Sequence, residues 1–239
     1  MYPLEDKREG SCYLITAFFA FLIIILVEWI WPDVIPFTLF EYWKLNGSIS
    51  QILKALLPLL VFGIILNVIM LVRTRNDPLI NQNAEVVFGI GCGLSTFAGI
   101  FEEISFRWIL FYDQIIVYKI LNWLFFGFAG WGFFEWFFNH ISGPIANFLT
   151  LGYLEPYLFN GLGWFIGAAI ISSNAKFRNG HLYQGWFGWI NAWFGGMYFF
   201  YLMFNYGLIA SILAHFLYDL FCFGLLYIDA AIERKLGWV

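Results

Sequence analysis

Three ionisable residues stand inside an apolar stretch of the chain. Glu102, Glu103 and Arg107 occur in the sequence FEEISFRWILF, and we name them the first cluster. Ionisable side chains inside a membrane helix are costly and usually mark a functional site. On an α-helix Glu103 and Arg107 are four residues apart and can touch, whereas Glu102 lies about 100° around the helix and can face another partner. We therefore predict that Glu103 turns away from any reacting centre and meets Arg107.

A second cluster lies in the apolar run from residue 208 to residue 227. His215 and Asp219 are four residues apart there, on one helical face. His181 is a third candidate, since the chain has only three histidines. Carboxylates and histidines can activate a water as general bases. They are also the standard ligands of hydrolytic zinc. The two clusters and His181 together are therefore a candidate hydrolytic site.

Non-catalytic interpretations of these residues stay open. The first cluster could hold only a structural ion pair, and the second cluster could simply form hydrogen bonds to neighbouring helices. His181 could be a histidine of an interfacial loop. Glu135 and His140 form a rival pair, although they are five residues apart and lie near the end of an apolar run. We expect this rival pair to lie outside the site.

The composition indicates an integral membrane protein. Hydrophobic residues make up 62% of the 239 positions and charged residues only 12%, against about 25% charged residues in soluble domains. The runs do not alternate as barrel strands do, so an all-α fold is expected. No basic patch points to nucleic acid, and membrane lipids are the expected surroundings. The apolar runs cover residues 12–31, 50–72, 86–111, 114–138, 158–173, 184–204 and 206–229.

The positions of the basic residues suggest one further crossing. Lysines and arginines favour the cytoplasmic side of a membrane, and seven crossings cannot bring all four basic pairs to one side. The stretch Ile145–Phe159, broken by Pro156, is the candidate for an eighth segment. The sequence therefore predicts one multi-pass membrane domain, 1–239, with seven to eight transmembrane segments. The basic pairs are Lys7 with Arg8, Arg73 with Arg75, Lys176 with Arg178, and Arg234 with Lys235.

Three motifs in order resemble a family of membrane proteases. They are Glu-Glu-x-x-x-Arg at 102–107, Phe-x-x-x-His at 177–181 and His-x-x-x-Asp at 215–219. This pattern resembles the CPBP family, which comprises CAAX proteases and bacteriocin-processing enzymes and includes the Ras-converting CAAX endopeptidase. The resemblance covers a core of about residues 95–222.

The resemblance implies an eight-helix fold enclosing a polar cavity and an intramembrane endopeptidase. The enzyme would cleave near the C-terminus of a membrane-anchored or prenylated protein or peptide. By the family pattern, Glu102 with His181 would activate the water. His215 and Asp219 would stabilise the oxyanion or hold a metal, while the other two residues of the first cluster would brace it. Zn²⁺-dependent and metal-free mechanisms both stay open.

The alternative is a non-catalytic membrane scaffold or a bacteriocin-immunity-type protein that keeps the fold. This alternative is favoured by the polar sequence around His181, which contains Lys176, Arg178 and Asn179. The catalytic interpretation makes a geometric demand. The reacting carboxylates and histidines must lie within roughly 4–8 Å of one another, and a separation of His181 from Glu102 beyond about 12 Å would exclude a shared water.

Overall fold

The computed structural model describes residues 6–74, 84–159 and 163–236. All regular secondary structure in these ranges is helical, which confirms the predicted all-α class. The α-helices of these ranges are α1 (Asp6–Ile30), α2 (Ile49–Thr74), α3 (Ala84–Glu102), α4 (Leu110–Leu124), α5 (Phe133–Phe137), α6 (Gly143–Leu149), α7 (Glu155–Phe159), α8 (Trp164–Gly180), α9 (Gly185–Tyr206) and α10 (Leu208–Lys235).

Within the described ranges, three helical stretches are long and apolar enough to cross a membrane. They are Ile49–Ile69, Glu85–Leu124 and Leu208–Lys235. A crossing needs roughly 20 apolar residues, and α1 contributes a shorter apolar segment, Phe18–Ile30. The predicted number of seven to eight segments therefore stays a prediction. Arg75, one of the basic residues behind that count, lies outside the described residues.

The helix boundaries differ from the predicted runs in the middle of the chain. The runs 86–111 and 114–138 were predicted as separate segments, but the chain is helical without a break from Glu85 to Leu124. Asp113 lies within α4 rather than in a connection. A π-helical turn, Glu103–Ile109, joins α3 to α4. Such turns widen the helix locally and are frequent at functional sites.

The predicted extra crossing, Ile145–Phe159, is not one continuous helix. Helix α6 continues α5 through a second π-helical turn, Phe138–Ser142, whereas α7 follows α6 after a break and has five residues. Leu151 and Gly152, in the turn that separates them, both have positive φ angles. Helix α7 is far shorter than the roughly 20 residues that a crossing requires. Gly152 lies in the break between α6 and α7, and Pro156 lies in the first turn of α7, where proline is tolerated.

The chain divides into two compact units. Unit 1 comprises Met1–Tyr42 and Ile104–Lys176. Side-chain hydrogen bonds fix the loop after α1 to α4 and the turn before it: Trp108 donates to the Leu39 carbonyl at 2.7 Å and Tyr112 to the Thr38 carbonyl at 2.8 Å. Leu39 in turn donates its backbone N–H to Glu28. These bonds satisfy polar groups of an irregular segment, which must otherwise be solvated.

Unit 2 comprises Trp43–Glu103 and Phe177–Val239. Helix α10 packs against α2, α3 and α9 in this unit. Tyr198 of α9 donates a hydrogen bond to the Ala55 carbonyl of α2 at 2.5 Å. Helices α9 and α10 are joined through Gly207, whose φ is +93° and whose missing Cβ leaves room for the Lys44 carbonyl. Every residue of the second cluster lies in this unit.

Glycines allow α3 and α10 to approach closely. A Cβ on Gly99 would lie 3.0 Å from the Ile212 carbonyl oxygen and 3.1 Å from the Phe216 nitrogen, and one on Gly91 would overlap the Phe223 ring. Small residues let membrane helices pack backbone to backbone in this way. Gly93, in the same helix, has open space around it. The contact between α3 and α10 therefore depends on particular glycines and not on the glycine content of α3.

We predict that Gly99→Ala destabilises the protein and that Gly93→Ala does not. The new methyl at position 99 meets backbone atoms that cannot rotate away, and overpacking of this kind costs about 1–3 kcal/mol. At position 93 the gain in helix propensity, up to about 1 kcal/mol, is unopposed. Thermal unfolding of both variants in detergent, followed by tryptophan fluorescence, measures the difference. Equal melting temperatures would contradict the packing described.

Candidate active site

The buried carboxylate of Glu103 organises the site. Glu103 is fully buried, and its Oε1 lies 2.7 Å from His215 Nδ1. Its Oε2 accepts a 2.6 Å hydrogen bond from the Ser211 hydroxyl, which also lies 3.0 Å from the Phe199 carbonyl. Glu103 thus contacts His215 at Nδ1 and not at Nε2, and the prediction that it turns away from the reacting centre stays a prediction.

The first cluster is not α-helical throughout. A π-helical turn begins at Glu103 and changes the angle between successive side chains. Arg107 is fully buried and belongs to unit 1. Its pairing with Glu103 stays a prediction.

The contact with Glu103 fixes the orientation of the His215 ring. With Nδ1–H donated to the carboxylate, Nε2 faces the cavity, as in histidines that a carboxylate orients at catalytic centres. Nε2 lies 3.6 Å from Asp219 Oδ2 and 3.8 Å from Glu102 Oε2. The ring stacks on Phe199 at 4.4 Å between centroids and meets Phe177 edge to face at 6.0 Å. The ring is thus held by one hydrogen bond and two aromatic contacts.

His181 is oriented by its own helix end. Its Nδ1 lies 2.9 Å from the Phe177 carbonyl oxygen. A carbonyl can only accept, so Nδ1 carries the proton, and Nε2 of the neutral ring is an acceptor. Nε2 lies 3.9 Å from Glu102 Oε2. The Phe-x-x-x-His spacing therefore sets the tautomer as well as the position of the ring.

Glu102 supplies the buried oxygen at the centre of this group. Its Oε2 is buried and has no hydrogen-bond partner among the described residues, although both histidine Nε2 atoms lie within 4 Å of it. Separations of 3.8–3.9 Å are too long for direct hydrogen bonds and suit a bridging water. The structure thus brings Glu102, His181, His215 and Asp219 together, with His181 well inside the limit of about 12 Å set from the sequence.

Zinc is the metal that histidine and carboxylate ligands of this kind commonly hold. Zinc–ligand bonds of about 2.0–2.2 Å in tetrahedral geometry separate neighbouring ligand atoms by about 3.4 Å. The separations here are 3.6–3.9 Å. No group of three or more His, Cys, Asp or Glu side chains in the described ranges is positioned to hold a metal ion. The described donor atoms are therefore spaced more widely than the ligands of a bound zinc ion.

A cavity of about 370 Å³ adjoins these four residues. Its other walls include Phe177, Phe199 and the aromatic ring of Tyr218. All of the lining residues belong to unit 2. The volume is near the lower end of the roughly 300–1,000 Å³ found for ligand pockets. The cavity can therefore hold a small part of a larger substrate beside the reacting groups.

The polar residues around His181 are accommodated by local contacts. The Arg178 guanidinium lies over the Trp189 ring at 4.3 Å and the Trp193 ring at 5.5 Å. It also donates to Asn179 Oδ1 at 3.0 Å. Stacking on aromatic faces is a common way to hold a guanidinium at an interface. A charged residue within this motif is thus compatible with the position of His181.

The rival pair belongs to the other unit. Glu135 and His140 are residues of unit 1, and neither is among the described residues that line the cavity. His140 Nδ1 lies 2.8 Å from the Trp136 carbonyl, and its ring stacks on the Trp136 ring. Both contacts of His140 are thus with Trp136, one helical turn earlier in the chain.

Ser211 is a site residue that the sequence interpretation missed. It is fully buried and bridges Glu103 to the Phe199 carbonyl. Its position four residues before His215 places it one helical turn away on the same face. A polar residue at that spacing, in an otherwise apolar run, was the available signal.

The motifs, their order and this geometry agree with one protein family. A family model described as type II CAAX prenyl endopeptidase Rce1-like matches residues 85–221. The chain belongs to the Rce1-like family. This confirms the predicted resemblance, and the match includes the predicted core from about residue 95 almost to its end. No curated protein and no solved structure matches the chain. The Rce1-like family is one of CAAX protease-type enzymes in membranes.

We predict that Ser211→Ala destabilises this Rce1-like protein more than Ser95→Ala does. Ser211 donates to a buried carboxylate, and hydrogen bonds to charged groups contribute about 1.5–3 kcal/mol. Ser95 is also fully buried, but its hydroxyl bonds the Gly91 carbonyl of its own helix, a neutral bond worth about 1 kcal/mol. Unfolding of the two variants in detergent measures the difference. If Ser95→Ala lowers the free energy of unfolding as much as Ser211→Ala does, the prediction is wrong.

Proposed function

We propose that this protein is an intramembrane endopeptidase that hydrolyses a peptide bond near the C-terminus of a membrane-anchored or prenylated protein or peptide. The observation that carries the proposal is the buried Glu102 Oε2, which has no hydrogen-bond partner among the described residues and lies 3.8–3.9 Å from two histidine nitrogens. A water at this position would be activated where the substrate enters. Membership of the Rce1-like family supports the substrate class.

The proposed first step is general-base attack by water. Glu102 accepts one proton from the water, and the resulting hydroxide attacks the scissile carbonyl carbon. His181 orients the water through Nε2, since its Nδ1–H is committed to the Phe177 carbonyl. A positioned base contributes about 10²–10⁴-fold to such a step. The burial of Oε2 removes competing bulk water from the base.

The proposed second function of the site is stabilisation of the oxyanion. His215 donates from Nε2 when its ring carries both protons, because Nδ1–H is directed to Glu103. Asp219 lies 3.6 Å from the same nitrogen. A carboxylate can only accept, so Asp219 stabilises an oxyanion only as the neutral acid. The C–N bond then breaks, and the proton held by Glu102 passes to the leaving amine.

The proposal also concerns the membrane helices around the site. We infer seven to eight membrane segments that enclose a polar cavity, so that a lipid-anchored substrate reaches the water from within the bilayer. Three described helical stretches are long and apolar enough to cross. The proposed mechanism uses side chains and water alone.

Glu102→Gln should abolish cleavage of a prenylated peptide by the purified protein. The amide keeps the shape of the side chain but cannot accept the proton of the water, so a loss of at least about 10²-fold in kcat is expected. Glu135→Gln, the same change in unit 1, is the matched control and should leave kcat unchanged. Turnover by Glu102→Gln at the wild-type rate would refute the mechanism, and a wild type without activity would favour the scaffold alternative.

Two substitutions at Asp219 distinguish a role in stabilising the oxyanion from other roles of this side chain. Asp219→Asn keeps a donor and should retain activity, whereas Asp219→Ala removes it and should lose about 10²–10³-fold in kcat. The kcat values of the wild type and the two variants measure this difference. An asparagine variant as inactive as the alanine variant would show that the carboxylate itself is required.

A further inference from the structure

Helix α9 contributes one polar side chain to the wall of the cavity. Its lining residues run from Phe187 to Phe199, and all of them except Asn191 are glycine, alanine or phenylalanine. An amide among apolar side chains costs free energy unless it forms hydrogen bonds. The hydrogen bonds of Asn191 therefore indicate the role of this position.

Tyr218 fixes the orientation of the Asn191 amide. Its hydroxyl donates to Asn191 Oδ1 at 2.5 Å, and Tyr218 is only 3% exposed. The ring lies against α2 at Gly63, where an added Cβ would come within 2.8 Å of it, and it meets Phe199 of α9 edge to face at 6.4 Å. Because Oδ1 accepts the bond from Tyr218, the NH₂ group of Asn191 is left as a donor.

The NH₂ group of Asn191 has no acceptor among the described residues. The other two amide side chains of the described cavity wall already donate within the protein. Asn67 Nδ2 donates to the Gly63 carbonyl at 2.8 Å, and Gln184 Nε2 donates to the Tyr183 hydroxyl at 2.8 Å. Asn191 is thus the amide of the described wall whose donor group is left for a ligand.

The Asn191 amide is connected to the reacting groups through adjacent aromatic rings. The Phe199 ring contacts both the Tyr218 ring and the His215 ring, the latter at 4.4 Å between centroids. Tyr218 also directly precedes Asp219 in the chain. Asn191 and the reacting groups border the same cavity, so one bound molecule can contact both.

Peptide carbonyls are the acceptors that every protein substrate carries. Each residue of a peptide supplies one carbonyl oxygen, and a carbonyl that leaves water without gaining a new hydrogen bond is penalised. The neutral NH₂ group of an asparagine meets this need whatever the side chains of the substrate are. A backbone carbonyl is therefore the ligand group that this donor suits.

We propose that Asn191 binds a backbone carbonyl of the substrate next to the scissile bond, and that Tyr218 is the positioning residue that orients the amide for this bond. The inference rests on the proposed endopeptidase function. Asn191 takes no part in proton transfer. Its bond to a non-reacting peptide group is made equally in the bound substrate and in the transition state, so its loss should raise KM and leave kcat nearly unchanged.

A double-mutant cycle between protein and substrate tests the proposed bond. Two prenylated peptides carry an (E)-alkene in place of the peptide group just before or just after the scissile bond, which removes one carbonyl and keeps the planar geometry. In the full-length wild type, one replacement should lower kcat/KM about three- to tenfold, as expected for one neutral hydrogen bond. In Asn191→Leu the same replacement should cost at least about threefold less, because the donor is already absent.

Asn205→Leu, the same change in the same helix, is the matched control. Asn205 is exposed and donates to the Tyr201 carbonyl, and it is not among the described residues that line the cavity. This variant should show the wild-type cost of both replacements. Equal costs in the wild type and in Asn191→Leu for both peptides would overturn the inference and leave the proposed function intact. A wild type that cleaves none of the peptides would overturn both.

Tyr218→Phe separates substrate binding from stability. Asn191→Leu alone leaves the buried Tyr218 hydroxyl without its acceptor, which destabilises the protein whether or not substrate binds. The double variant Tyr218→Phe/Asn191→Leu removes both partners and should still show the raised KM. Tyr218→Phe alone should raise KM by less than Asn191→Leu does, because the amide is present but no longer held. A fall in kcat with unchanged KM in the double variant would contradict the assignment of Asn191 to substrate binding.

Discussion

The hydrogen bond between Glu103 and His215 is the constraint on which the rest of the site depends. It joins a fully buried carboxylate to a ring that is itself almost wholly buried. A buried charge must be met by donors, and here the donors are His215 and Ser211 of one helix. Once the ring is held at Nδ1, its Nε2 has a fixed direction. The positions of Glu102 and Asp219 relative to that nitrogen then define where a water or a substrate oxygen can lie.

This bond requires two helices to lie unusually close together. Gly99 provides the approach, since a Cβ there would meet Ile212 and Phe216. These two residues are the immediate neighbours of Ser211 and His215, and Gly99 lies one helical turn before Glu103. Close packing and the polar bonds therefore occur at the same level of α3 and α10. Gly99 lets the two helices approach, and at that distance the Glu103 carboxylate can bond to the His215 imidazole.

The reacting centre itself contains more acceptors than donors. Glu102 Oε2 and the neutral His181 Nε2 are both acceptors, and neither lies near enough to the other for a direct bond. A water can donate to both. The orphaned oxygen of Glu102 is costly for folding unless such a molecule satisfies it. The same feature that costs stability is the one that catalysis would use, which is a common relation in active sites.

Much of this protein could be predicted from the sequence because some constraints are local. A low charge content forces contact with lipid, and charges within apolar runs must converge on partners; these two facts led to the helical fold and to Glu102, His215 and Asp219. The resemblance of three ordered motifs supplied the family and strengthened the case for His181. The tertiary structure decided the rest. Glu103 meets His215, and Ser211 becomes a site residue, only because α3 lies against α10. The continuous helix through Asp113 likewise has no local signal, since one charged residue looks the same in a connection and in a helix. Contacts between distant segments determine such features, and spacing along the chain does not contain them.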